Sequence, residues 1–138
     1  SPLPGRAPSG HSQNGQVLIG AVTLTVIHFI LVSIILVALL KVVPSFARTF
    51  EEFDLDLPAM SVSVLRLSAM VASNWYVAIP FAFVCLAIDF MVLLLMGRAS
   101  RVLQALVGIG LVLAALAIGT IISLGMWVPF AKMMDALS

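Results

Sequence analysis

The chain has 138 residues, of which 62% are hydrophobic and 9% are charged, and its formal net charge is +1. Its mean hydropathy of +1.22 is typical of an integral membrane protein. The small net charge argues against a nucleic-acid partner, which requires a basic face. The residues outside the apolar stretches are too few to form a soluble catalytic domain. We therefore expect a membrane protein that is not an enzyme and has no soluble small-molecule substrate.

Three apolar stretches, Val17–Leu40, Trp75–Met96 and Val102–Phe130, each exceed the roughly 18–20 residues needed to cross a bilayer. The predicted fold is all-α, with three transmembrane helices and an interfacial amphipathic segment between the first and the second. In chain order, the predicted segments are a flexible polar tail (1–16), transmembrane helix 1 (17–43), interfacial amphipathic helices (44–74), transmembrane helix 2 (75–96), a basic turn (97–101), transmembrane helix 3 (102–130) and a C-terminal stub (131–138).

The segment after the first span begins with Pro44, a residue favoured in the first turn of a helix. Phe46, Phe50 and Phe53 follow at i, i+4 and i+7, so they share one helical face. This pattern is typical of a short helix at the membrane interface. The aromatic face then lies in lipid or against a partner, or it packs onto the protein's own spans, and the sequence leaves these alternatives open.

Aromatic residues also mark one end of the second and third spans, where membrane proteins carry aromatic belts. Trp75 and Tyr76 open the second span, and Trp127 lies near the end of the third. Because the turn between these spans is short, the spans are antiparallel and the three side chains are expected at the same membrane face. With the three phenylalanines they form the predicted interfacial and partner-binding surface.

Asp89 is the one formally charged residue within the three apolar stretches. A carboxylate near the centre of a bilayer is costly, so it is expected to face protein and to have a polar partner. At 1.5 Å per residue, Asp89 lies about 12 Å from the membrane face marked by Gly97, and His28 lies about 16 Å from that face. The sequence therefore predicts an intramembrane polar pair of Asp89 with His28, with Thr25 as the other candidate partner.

His28 has a second interpretation, because a neutral imidazole nitrogen is also a ligand for the metal of a haem or a chlorophyll-type pigment. A haem held by two histidines would need a second membrane histidine, which these stretches lack, whereas a pigment needs one axial ligand. The sequence contains no motif for a metal cluster, a nucleotide loop or a paired-carboxylate site. Pigment binding through His28 is kept as an alternative to a structural role.

The third span carries small residues in a row that favours close helix packing. Ala115, Gly119 and Ser123 follow one another at four-residue spacing, and Gly108 and Gly110 precede them. Small side chains allow the backbones of two helices to approach each other. We expect all five positions to lie in helix contacts.

Arg98 and Arg101 form a basic turn between the second and third spans. Positive charge favours the cytoplasmic side of a membrane. With the N-terminus on the side of this turn, that side has three lysines and arginines and the other side has four, so charge alone leaves the orientation open.

Lys41–Phe46 (KVVPSF), followed by Phe50, Phe53 and Leu57–Pro58, resembles a signature in the inner-membrane platform protein of type II secretion and type IV pilus systems. Val128–Phe130 (VPF) similarly resembles the tail of that family after its last span. The resemblance implies a bacterial-type inner membrane, a cytoplasmic N-terminus and turn 97–101, and a periplasmic C-terminus. It also implies that residues 44–74 lie on the outer side.

The family carries helical cytoplasmic domains before the first span and between the second and the third. In this sequence the polar tail and the turn 97–101 occupy those two places. The leading prediction is therefore a non-catalytic accessory or scaffold subunit of a larger inner-membrane complex. Its partners would be the lipid bilayer and other integral membrane subunits, and it would need no cofactor other than bound lipid. The alternatives are a reduced secretion- or pilus-platform component and a small pigment- or haem-contacting subunit of a photosynthetic or respiratory complex.

Overall fold

The computed structural model describes residues 10–138, and the described residues are almost entirely helical, without a β-strand. They form five α-helices and one π-helical segment. These are α1 (Gly10–Val37), the π segment (Ala38–Val42), α2 (Val43–Glu52), α3 (Ala59–Ser73), α4 (Trp75–Ala99) and α5 (Arg101–Leu137).

Within residues 10–138, three helices are long and apolar enough to cross a membrane, namely Ser12–Glu52, Trp75–Ala99 and Arg101–Leu137. The predicted all-α class with three spans is thereby confirmed, and a shorter apolar helix, α3, lies between the first and the second span. The long helices α1, α4 and α5 contact one another in pairs and form a three-helix bundle. The protein is therefore a multi-pass membrane protein.

The ends of the long helices differ from the sequence prediction. Residues 10–16, predicted as part of a flexible tail, belong to α1, while residues 1–9 of that tail lie outside the described residues. The predicted stub 131–138 is also helical as far as Leu137. Both errors have one cause, because extending an existing helix adds one backbone hydrogen bond per residue and needs no apolar side chains.

The turn between the second and third spans is shorter than predicted. Its single non-helical residue is Ser100, which is extended, with φ −161° and ψ 132°. The Ser100 hydroxyl accepts a hydrogen bond from the Leu103 backbone N–H and caps α5. This connection forces α4 and α5 to run antiparallel.

The first span continues without a break into α2, so the prediction that Pro44 opens a separate helix is wrong. Pro44 does lie in the first turn of α2, but Val42 and Val43 both keep helical backbone angles. The π segment explains this continuity. In it the Val43 N–H donates to the Ala38 carbonyl, five residues back. With the same five-residue spacing, the backbone N–H of residue 44 would donate to the Leu39 carbonyl. Because residue 44 is proline and has no N–H, the Leu39 carbonyl can accept a hydrogen bond from another donor.

Helices α2 and α3 form a hairpin that packs against the π segment and α5. Its connection runs through Asp54, which has φ 48°, a left-handed conformation that aspartate tolerates better than most residues. The hairpin closes over a cluster of buried apolar side chains, here called the hairpin core. Its members are Leu39, Val43, Phe50, Val64, Ile122 and Met126.

Candidate functional site

The candidate site is the polar pair inside the bundle, and the structure brings its two predicted members together. Asp89 of α4 is only 7% exposed, and His28 of α1 is partly buried beside it. His28 Nδ1 and Asp89 Oδ2 are hydrogen-bonded, 2.8 Å apart. The bond predicted from the matching depths of the two residues is thus present. The bond joins α1 to α4, and its two partners are 61 positions apart in the sequence.

Thr25, the other predicted partner, does not bond to Asp89. Its hydroxyl oxygen and the Asp89 Oδ1 oxygen are both buried and make no hydrogen bond to any described residue. Thr25 precedes His28 by one helical turn, so the two side chains share a face of α1. The carboxylate is therefore bound by the imidazole rather than by the hydroxyl.

This geometry can hold two helices together, and it also orients the imidazole. A carboxylate bound to one ring nitrogen of a histidine fixes the ring, as it does for histidines that bind metals through the other nitrogen. The second nitrogen, Nε2 of His28, would be the one to bind a pigment metal. Within residues 10–138, no group of three His, Cys, Asp or Glu side chains is arranged to hold a metal ion. Pigment binding by His28 stays a prediction.

A second polar contact, about three turns nearer the start of α1, was not predicted from the sequence. Gln104 of α5 is only 3% exposed, and its Nε2 donates to the Val17 carbonyl at 3.0 Å. A Cβ placed on Gly97 would lie 2.8 Å from the Gln104 side chain, and one placed on Gly20 would lie 3.0 Å from it. The two glycines thus make room for the amide. The available signal was that Gln104 is the one carboxamide in the three apolar stretches.

Two serines that the sequence analysis did not single out fasten α3 to the spans. Ser68 donates to the Leu39 carbonyl at 2.6 Å, which satisfies the carbonyl that Pro44 leaves free in the π segment. Ser61 donates to the Gly125 carbonyl of α5. Both serines are fully buried, and their seven-residue spacing, two helical turns, was the signal that could have identified this face of α3.

The predicted helix-packing residues of α5 divide into two groups. Gly108 and Ala115 are buried, and a Cβ on Gly108 would overlap the Leu24 side chain of α1. Gly110 has nothing within 4 Å of such a Cβ, so its predicted packing role is wrong within this chain. The reason is geometric, since Gly110 lies about 200° around the helix from Gly108.

Gly119 and Ser123 lie beside an open groove between α1 and α5 with a volume of about 360 Å³. A Cβ on Gly119 would approach Ile35 only at 4.0 Å, and Ser123 is exposed with its hydroxyl donating to the Gly119 carbonyl. We call this surface the α1–α5 groove. Apart from Thr120, its other walls are apolar, formed by residues such as Leu31, Ile34 and Leu116.

Of the three phenylalanines of the predicted aromatic face, two pack within the protein and one is exposed. Phe50 is 1% exposed, and Phe46 packs edge-on against Phe130 of α5, with ring centroids 6.2 Å apart. Phe53, by contrast, is 49% exposed. Packing onto the protein's own spans therefore accounts for two of the three phenylalanines.

The aromatic belt residues Trp75, Tyr76 and Trp127 are all exposed. Trp75 begins α4, and Trp127 lies in the last third of the antiparallel α5, so they occupy the end of the bundle that carries the α2–α3 hairpin. Arg98 and Arg101 lie at the opposite end. There the Arg101 Nη1 donates to the Gln16 Oε1 at 2.8 Å.

Comparison of the chain with protein-family models, with curated proteins and with solved structures finds no match. The resemblance to secretion and pilus platform proteins therefore depends on the short segments quoted above, and it stays a prediction.

Proposed function

We propose that the chain is a non-catalytic accessory or scaffold subunit that packs into a larger assembly in a bacterial-type inner membrane. Its N-terminus and the turn 97–101 would face the cytoplasm, and its C-terminus the periplasm. The main support is that the buried polar side chains form hydrogen bonds between helices and so stabilise the helical frame. These side chains belong to His28, Asp89, Gln104, Ser61 and Ser68.

The α1–α5 groove supports the assembly part of the proposal. Transmembrane helices associate through close packing at small residues, and Gly119 and Ser123 border a groove that α1 does not fill. A helix of a neighbouring integral membrane subunit fits this surface. Gly110 lies about 180° from Gly119 around α5 and offers a matched control position.

Co-purification in a mild detergent tests the proposal. Gly119→Leu fills the groove, and we expect it to reduce the yield of co-purifying membrane subunits by about tenfold, which corresponds to 1.4 kcal/mol of lost interaction free energy. The chain should still fold, because a Cβ at Gly119 meets only one atom, at 4.0 Å. Gly110→Leu should leave the yield unchanged. Migration of the wild-type chain as a lone monomer would contradict the proposal.

A reduced secretion- or pilus-platform component is a narrower form of this proposal. It is supported by the segment Lys41–Phe46, which in this fold contains the end of the π segment and the start of α2. Identification of secretion or pilus proteins among the co-purifying subunits would support it, and their absence from an intact complex would exclude it.

A second function class is favoured by one observation, the carboxylate that orients His28. Through Nε2, this histidine would contact the metal of a pigment or haem in a photosynthetic or respiratory complex. The absorption spectrum of the purified complex tests this function. Pigment bands that His28→Leu abolishes, and that Thr25→Val retains, would favour it over the scaffold role.

A further inference from the structure

A polar cavity lies at the end of the bundle opposite the hairpin, where the first turns of α1 meet the junction of α4 and α5. Its volume is about 300 Å³. The polar side chains around it belong to Gln13, Asn14, Gln16, Arg98, Ser100 and Arg101. We propose that this cavity binds the phosphate of an anionic phospholipid headgroup.

The charge around the cavity is positive and is not compensated locally. Arg98 and Arg101 line it, and none of its lining residues is acidic. The chain has six carboxylate side chains, and one of them, Asp89, is bonded to His28 within the bundle. The other five lie in the α2–α3 hairpin or the last turn of α5, at the far end of the molecule. An anion therefore meets attraction from two guanidinium groups at this end.

One of the two guanidinium groups is already held in place. The bond from Arg101 Nη1 to Gln16 Oε1 ties the side chain across from α5 to α1, at 2.8 Å. A guanidinium carries five N–H donors, so four remain for a ligand, in a planar arrangement that matches two phosphate oxygens. The amide groups of Gln13 and Asn14 supply further donors on the α1 side.

The position of the cavity favours a lipid over a soluble anion. It lies where the apolar part of all three long helices ends, which is the depth of the headgroups. Within two turns further into the membrane, Leu18, Val102 and Leu106 present exposed apolar side chains that acyl chains can cover. Because zwitterionic headgroups bring a positive charge next to the phosphate, a headgroup with net negative charge is preferred. Basic residues next to membrane spans bind such headgroups through their charge.

Native mass spectrometry of the protein released from nanodiscs tests the proposal, with phosphatidylglycerol and phosphatidylcholine as the two probes. The wild-type chain should retain phosphatidylglycerol preferentially. Arg98→Gln with Arg101→Gln should lower this retention by roughly fivefold for each arginine, since a basic residue near the surface contributes about that factor. The matched control is Arg66→Gln with Lys132→Gln, which removes two exposed charges from other parts of the chain and should leave retention unchanged.

A charge-conserving pair, Arg98→Lys with Arg101→Lys, separates a built site from general attraction. Lysine cannot bind two phosphate oxygens in the planar geometry of a guanidinium, so retention should fall to a value between the wild type and the glutamine variant. Full retention by the lysine variant, or an equal loss in the control, would overturn the proposal. Displacement of phosphatidylglycerol by millimolar inorganic phosphate would overturn the assignment to a lipid. Helical content measured by circular dichroism confirms that each variant is folded.

Discussion

The two ends of this molecule are held together in different ways. At the hairpin end, large apolar side chains such as Phe50 and Met126 interlock, and two serines bond α3 to the spans. At the basic end, the helices approach because Gly20 and Gly97 lack side chains, and a single amide, Gln104, fills the space. In lipid, burial of apolar surface does not drive helices together. Each end therefore depends on close packing and hydrogen bonds. At the hairpin end large side chains fill the space between helices, whereas at the basic end the helices are close because glycine has no side chain.

The largest expected effect comes from the hairpin core. Phe50→Ala removes a fully buried ring and should lower the free energy of unfolding by about 3 kcal/mol, the lower end of the range for such a cavity. Phe53→Ala is the matched control, because Phe53 is half-exposed three residues later on the same chain segment. Reversible unfolding in mixed micelles measures both. Equal losses would show that the hairpin core does not contribute through its packed volume.

At the basic end the test is to add a methyl group. A Cβ on Gly97 would lie 2.7 Å from Val17 Cγ1 and 2.8 Å from the Gln104 side chain. Gly97→Ala should therefore destabilise the protein by about 1–2 kcal/mol, because overpacking outweighs the better helix propensity of alanine. Gly110→Ala, at an open position, should be neutral or stabilising. If Gly97→Ala is as stable as Gly110→Ala, the close approach around Gln104 does not stabilise this end.

The polar pair between the two ends provides a third test. Asp89→Leu leaves His28 without its partner and should cost about 1–1.7 kcal/mol, near the upper end for interhelical hydrogen bonds in membranes. Asp89→Asn keeps the size and a hydrogen-bonding oxygen, so it should be tolerated. The thermal midpoint of the detergent-solubilised protein distinguishes them. A leucine variant as stable as wild type would show that the pair does not stabilise the bundle.

The smallest expected effect concerns the bond between α3 and the π segment. Ser68→Ala leaves the Leu39 carbonyl without its donor and should cost about 0.6–1 kcal/mol. Ser63→Ala is the control, since the exposed Ser63 hydroxyl donates only to the Ala59 carbonyl of its own helix. Hydrogen exchange in α3 should become faster in the first variant alone. Unchanged exchange would mean that the apolar contacts suffice to hold α3.

The features that the sequence predicted correctly are those for which the membrane allows few alternatives. An apolar stretch of span length must form a helix in lipid, because its backbone groups have no other partners. A carboxylate inside such a stretch needs a polar partner at the same depth, and His28 was available to Asp89. Simple counting of residues along two helices was therefore sufficient to identify the pair.

The features that the sequence did not predict depend on contacts between residues that are far apart in the chain. The continuous helix through Pro44 requires a donor for the Leu39 carbonyl, and that donor, Ser68, lies 29 residues further along the chain. The Gln104 contact requires glycines on two other helices. The helix ends at Gly10 and Leu137 lie outside the three apolar stretches, where hydropathy carries no signal of a membrane span.

The contact of α3 with Gly125 has a consequence for biosynthesis. Ser61 lies 64 residues before its acceptor, and Val64 packs where a Cβ on Gly125 would lie only 2.9 Å away. A ribosome completes α3 well before it makes the last span, so the surface that receives α3 does not yet exist. Helix α3 therefore cannot complete its contacts until α5 has been made and lies in the bilayer.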